Sequence, residues 1–125
     1  MKKIIKTSEA PEAIGPYSQA VSAGGFLFTA GQIAFVPGVN KMVNGGVAEQ
    51  TTQVLENLKA VLKAAGVDMS SVIKATVYLT APEHFAPMNE VYTRYFTESF
   101  PARVAVFVKS LPKGALVEID AIAKL

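Results

Sequence analysis

Two segments near the C-terminus constrain what this chain can fold into more than any others. Pro101-Ala102-Arg103-Val104-Ala105-Val106-Phe107-Val108 and Leu116-Val117-Glu118-Ile119-Asp120-Ala121-Ile122 both read as strands. Side chains alternate across a strand, so each segment divides into two faces. In the first, Val104, Val106 and Val108 share one face, and Arg103, Ala105 and Phe107 the other. In the second, Val117, Ile119, Ala121 and Ala123 share one face, and Leu116, Glu118, Asp120 and Ile122 the other. Each strand thus has a wholly apolar face and a mixed face. The apolar faces are expected to lie under helices. The mixed faces carry Phe107, Leu116 and Ile122, which argue for cover by another subunit.

Upstream, Lys2 to Lys6 reads as a short edge strand, and Pro11 to Pro16 as a rigid loop. Tyr17 to Ala23 and Phe26 to Ala30 flank Gly24-Gly25, a pair suited to a tight hairpin. Gly31 to Gly46 is expected to be a long loop, although its apolar stretch Ile33 to Val36 needs cover. Val47 to Ala65 carries the clearest helical periodicity: Val47, Thr51, Val54, Leu55, Leu58, Val61, Leu62 and Ala65 recur at spacings of three and four, with Gly66 as a stop. Val72 to Thr80 reads as a strand. Pro82 opens a second helix that buries Phe85, Met88, Val91, Tyr92, Tyr95 and Phe96. The order β-β-β-α-β-α-β-β predicts a single α+β domain over residues 1–125, a six-stranded sheet with two helices on one face.

Composition removes several function classes. With no cysteine, thiol catalysis, disulfides and thiolate-bound metals are excluded, and a single histidine, His84, cannot make a multi-histidine metal site within one chain. Net charge is +2 with scattered lysines, so no basic stripe favours nucleic acid. No apolar run reaches the length of a membrane span and the N-terminus lacks a signal-peptide core, so a cytoplasmic protein is expected. Half of the residues are hydrophobic, which again hints at surface covered by another subunit. No phosphate-binding loop, metal box or serine-hydrolase elbow is present.

The charges within the two C-terminal strands are the candidates for chemistry, because a buried charge is costly unless paired or bound to a ligand. Arg103 could clamp a planar carboxylate through two parallel hydrogen bonds. Taken alone, the arginine reads more readily as one half of a structural ion pair with Glu118, Asp120 or a neighbouring chain. Glu118 could hold a water or move a proton if burial raises its pKa, and Asp120 could play either part. Tyr17 is delivered by the stiff Gly15-Pro16 loop and could orient a substrate, but by itself it reads more readily as an ordinary strand aromatic. His84 starts the second helix and reads as a solvent-facing polar residue.

Ala13-Ile14-Gly15-Pro16-Tyr17-Ser18-Gln19-Ala20 resembles the N-terminal motif of the RidA (YjgF-type) family, reactive intermediate deaminases acting on enamines and imines. Pro101-Ala102-Arg103 followed by Val117-Glu118-Ile119 resembles its C-terminal signature. Between them Thr29 to Ile33, Gln53 to Leu58 and Asn89 to Tyr92 also match. The resemblance implies a chorismate-mutase-like α+β fold, assembled as a homotrimer through the sheets, with active sites at the subunit interfaces. It implies cofactor-free, metal-free hydrolysis of 2-imino acids such as 2-iminopropanoate and 2-iminobutanoate to 2-keto acids and ammonia. The imines would come from enamines released by pyridoxal-phosphate-dependent dehydratases. Carried over by motif, Arg103 would clamp the substrate carboxylate, Glu118 would hold and polarise the attacking water, and Tyr17 would line the site across the interface. Asn89 and Gly31 would shape the site. Many members have cysteine where this chain has Ala105 and serine where it has Ala30. Ala105 could then act only through its backbone, and Ala30 leaves space for a water or a different substrate. Two other functions are compatible with the residues: a non-catalytic sensor of small carboxylic acids, and a translation-inhibiting ribonuclease, which the charge pattern disfavours.

Overall fold

The computed structural model describes residues 1–125. Eight strands and two helices follow in the order β1 (Lys3–Ile5), β2 (Ala20–Ala23), β3 (Phe26–Thr29), β4 (Phe35–Val36), β5 (Lys41–Met42), α1 (Val47–Ala64), β6 (Val72–Leu79), α2 (Phe85–Tyr95), β7 (Ala102–Phe107) and β8 (Val117–Lys124). Six strands form one mixed sheet, ordered β1-β2-β3-β8-β6-β7, in which only β6 and β7 run parallel. Both helices lie on one side of it, as expected. They meet each other and bury Val54, Leu55, Leu58, Val61, Leu62, Met88 and Val91 in a shared core with Leu27, Val77, Val117 and Ile119 of the sheet.

The local reasons are legible. Gly24 and Gly25 both adopt positive φ, +60° and +84°, which lets two residues close the β2–β3 hairpin. Helix α1 opens with the Gly46 N–H donating to the Glu49 carboxylate at 2.8 Å, and Gly66 at φ +82° follows its end. Gln19 ties the N-terminal loop to the sheet. Its carbonyl accepts from the Thr7 N–H at 2.7 Å, and its amide donates to the carbonyls of Thr7 and Pro11 at 3.0 and 2.8 Å.

Three details differ from the sequence expectation. Strand β2 begins at Ala20, leaving Tyr17 and Ser18 in the loop, because pairing with β3 runs only from Ala20–Thr29 to Ala23–Phe26. The segment from Gly31 to Gly46 is not simply a loop. It folds into the β4–β5 hairpin, with Asn57 of α1 donating to the carbonyls of Ile33 and Phe35. This covers the apolar stretch and buries Ala34 completely.

The third difference decides the geometry of the site. Directly paired residues of neighbouring strands project to the same side of a sheet. Ala105 pairs with Val77 and Val77 with Ile119, both core residues, so the Arg103-Ala105-Phe107 face of β7 is the helix side. Val104 and Val106 align instead with Thr76–Asp120 and Tyr78–Glu118 on the open side, and both are exposed. The assignment of the wholly apolar face to the helices therefore holds for β8 and is reversed for β7. Alternation gives the two faces of a strand but not which one meets the helices; the parallel register with β6 fixes that.

The open side is apolar along much of its width. Ile4, Val21, Phe28 and Ile122 align across β1, β2, β3 and β8. Ile4 and Phe28 are 60% and 42% exposed, a large apolar area for a chain of this size to leave in water.

Candidate active site

The residues singled out by sequence fall into two groups. Tyr17, Ala30, Gly31 and Glu118 line one concave cleft of about 520 Å³, walled also by Ile14, Ile33, Phe35 and Pro112. Arg103, Asn89 and Ala105 are not in it. They sit on the helix side of the β7 edge, with β6 between that strand and β8.

In the cleft, Glu118 is half-buried on the open face of β8. Its carboxyl packs against the bare Cα of Gly31. A Cβ there would lie 2.9 and 3.1 Å from Cδ and Cγ of Glu118 and would overlap a carboxylate oxygen. Gly31 thus serves close approach rather than a special backbone conformation. Burial raises the Glu118 pKa, and the negative charge of Asp120, two residues along the same face, raises it further. Asp120 itself accepts a hydrogen bond from the Tyr78 hydroxyl at 3.2 Å. Burial and the Asp120 charge in turn push the Tyr78 phenol above its ordinary range. Tyr17 is exposed at the cleft, its hydroxyl accepting from the Ile14 N–H at 3.3 Å.

Arg103 departs from expectation in two ways. It is exposed rather than buried, and it makes no ion pair with Glu118 or Asp120. The missing ion pair follows from the register above, which sends Arg103 to the opposite side of the sheet from the two acids, and the exposure follows from the edge position of β7. Its guanidinium donates to the Asn89 side-chain oxygen at 2.7 Å. The group lies 4.8 Å from the ring centre of Tyr92 and 5.5 Å from that of Phe85. Two aromatic faces and one amide orient the planar group, and no carboxylate within the chain neutralises it. Arg103 therefore forms no ion pair within the chain. The other arginine, Arg94 of α2, pairs with Glu90 at the surface.

Sequence reasoning assigned Tyr92 and Phe85 to the core only and did not find them beneath Arg103. It also missed Tyr78 beside the acids and Lys113 in the cleft wall. Tyr78 was open to discovery, since it belongs to the same alternation as the other strand residues. The Lys113 position depends on loop geometry and leaves no periodic signal. His84 lies beyond the cleft, 3.4 Å from the Thr80 hydroxyl.

These features describe a small α+β protein with an acid-bearing cleft on its sheet and an oriented, unpaired arginine at the sheet edge. The family model for Endoribonuclease L-PSP matches residues 7–125. A RutC family protein of Pyrococcus horikoshii is 58% identical over 123 residues, 98% of each chain. The 2-iminobutanoate/2-iminopropanoate deaminase of Bos taurus is 50% identical over 123 residues, 98% of this chain and 90% of its own. A solved structure from Yersinia pestis, YyfA of the conserved Rid protein family, matches with a TM-score of 0.97 at 44% identity over the full length of both chains. The chain belongs to the Rid family.

Proposed function

We propose that this protein hydrolyses 2-imino acids, such as 2-iminopropanoate and 2-iminobutanoate, to 2-keto acids and ammonia. The observation that carries this reading is the Arg103 guanidinium, oriented by Asn89, Tyr92 and Phe85 and left without a carboxylate. Such a group is suited to the carboxylate of a small acid, bound through two parallel hydrogen bonds. The name carried by the relative from Bos taurus supports the same substrate class.

Glu118 and Arg103 lie on opposite sides of one sheet, so a single chain cannot bring both to one small substrate. The apolar open face supplies the resolution. In this reading three copies associate through their sheets as a homotrimer. The Tyr17–Gly31–Glu118 cleft of one copy then meets the Arg103–Asn89 edge of the next, with the Ala105 backbone beside it and Ala30 leaving room in the cleft.

The chemistry needs little beyond this. An imine carbon is already electrophilic, and a positioned water suffices. Water held by Glu118 adds through its oxygen to C2 while the C=N π pair moves to nitrogen. Glu118 accepts the proton released by the water and returns it to that nitrogen. Glu118 then takes the carbinolamine O–H proton and passes it to the nitrogen as C=O forms and C–N breaks, and ammonia leaves. Tyr17 orients the substrate at the cleft. Ammonia release from freshly generated 2-iminopropanoate, above the rate in buffer, is the test. Binding of 2-keto acids with no acceleration would identify a sensor of small carboxylic acids instead, and no binding would remove both readings.

A further inference from the structure

We infer that Lys113 is a substrate-steering residue, the cation that draws the anionic substrate into the Glu118 cleft. The inference rests on the deaminase reading for its substrate, and on three independent observations for its residue.

The first observation is strain. Lys113 adopts φ +59° and ψ +24°, the left-handed region that side-chain-bearing residues seldom occupy. It lies in the short turn Pro112–Gly114. Glycine would hold this conformation at no steric cost, and asparagine at little. An exposed lysine there gains nothing for the fold that the sequence could not have had more cheaply. Non-glycine residues kept in that region cluster at functional sites.

The second is position. Pro112 and Lys113 form part of the wall of the cleft that Gly31 and Glu118 also line, with Glu118 a few residues further along the chain. The fixed φ of Pro112 and the left-handed turn together set where the Lys113 side chain departs from the backbone.

The third is charge. Glu12, Lys113 and Glu118 are the charged residues lining the cleft, two acids and one base. A 2-imino acid is itself an anion. Without Lys113 it would approach a concavity carrying only negative side chains. Lys113 makes no ion pair with either acid or with any other residue of the chain. Its ammonium is exposed and available to an incoming carboxylate. A cation at the rim of a partly enclosed cleft changes encounter and salt dependence more than it changes the chemical step. Arg103 of the partner subunit would then take the carboxylate over once the substrate is seated.

The test uses the stable product analogue 2-oxobutanoate as ligand and 2-iminopropanoate as substrate. The variants are Lys113→Met, Lys113→Arg and Lys113→Gly, each assayed at low and high potassium chloride. In the wild type, 2-oxobutanoate binding should weaken as salt rises. In Lys113→Met it should be about threefold weaker at low salt and nearly flat with salt, as befits one exposed charge. The loss of ammonia release should be larger at low substrate than at saturating substrate, and Lys113→Arg should restore both affinity and salt slope. Lys113→Gly should bind as poorly as Lys113→Met while melting no lower than the wild type, since it relieves the backbone strain. A merely structural role would couple the two losses. Wild-type affinity and salt slope in Lys113→Met would overturn the inference while leaving the deaminase reading intact. Weak salt-dependent binding of 2-oxobutanoate by the wild type, lost in Lys113→Met, but with no ammonia release, would sustain Lys113 and overturn the deaminase reading. No binding by the wild type would overturn both.

Discussion

Glu118 owes its usefulness to a neighbour of like charge and to the glycine against which it packs. Burial first, and the Asp120 charge second, hold its pKa above the ordinary glutamate range. A carboxyl with a raised pKa in the folded state is more costly to ionise there than in the unfolded chain. The stability it allows is fully present below the unfolded pKa and is lost as pH rises through the folded one. Glu118→Gln should therefore lose less melting temperature than the wild type between about pH 4 and neutrality. The same variant should lose about 10² to 10⁴ in turnover, the usual worth of a positioned proton acceptor, with the mass in solution unchanged from the wild type. A Glu118→Gln protein that released ammonia at the wild-type rate would move the assignment to Asp120. Arg103 makes a different prediction, because its partners are an amide and two rings rather than an acid. Arg103→Lys should melt close to the wild type, since no buried ion pair is broken, yet bind 2-oxobutanoate weakly and turn over slowly. Lysine keeps the charge but not the planar fork. Normal turnover by that variant would show that Arg103 does not hold the substrate carboxylate.

At the scale of elements, the site is a product of where strands end and how close two backbones come. Gly31 follows β3, and the adjoining Gln32 bridges to Ile119 of β8, its N–H donating at 2.9 Å and its carbonyl accepting at 3.2 Å. That clamp fixes Gly31 against the Glu118 carboxyl. Gly31→Ala should then cost little stability, because the conflict is met by swinging the flexible carboxyl end of Glu118 away rather than by moving backbone. Activity should fall at least tenfold through displacement of the carboxyl. Melting temperature and ammonia release measured on one preparation check this. A large drop in melting temperature would mean that the strand, not the side chain, gives way.

At the scale of the whole molecule, the exposed apolar side of the sheet is the main unsolved surface of the single chain. Phe28 lies near its middle, between Val21 and Ile122, and is 42% exposed. Association through that face should give three times the chain mass by light scattering in dilute solution. Phe28→Glu should leave a folded monomer, because the residue is outside the core, and should abolish turnover in parallel with the loss of assembly. A wild-type monomer at micromolar concentration with full activity would contradict the shared site. The same scale bears on the membrane question only in this respect: no helix is long and apolar enough to cross one.

The sequence by itself determined the elements and the chemical inventory. Spacings of three and four gave α1 and the buried side of α2, and alternation gave the two faces of β8 with its acids on the mixed one. Those are local properties, set by the periods of helix and strand. The motifs around Tyr17, Arg103 and Glu118 also carried the family. What only the tertiary structure decided were relations between segments distant in sequence. The parallel register of β7 on β6 sends Arg103 to the helix side and the acids to the other. The β4–β5 hairpin forms because Asn57 of α1 supplies donors to its carbonyls. Lys113 lines the cleft from a left-handed position in the Pro112–Gly114 turn. Pairing register and loop conformation depend on which partner satisfies each backbone hydrogen bond, and alternation within one strand carries no record of that partner.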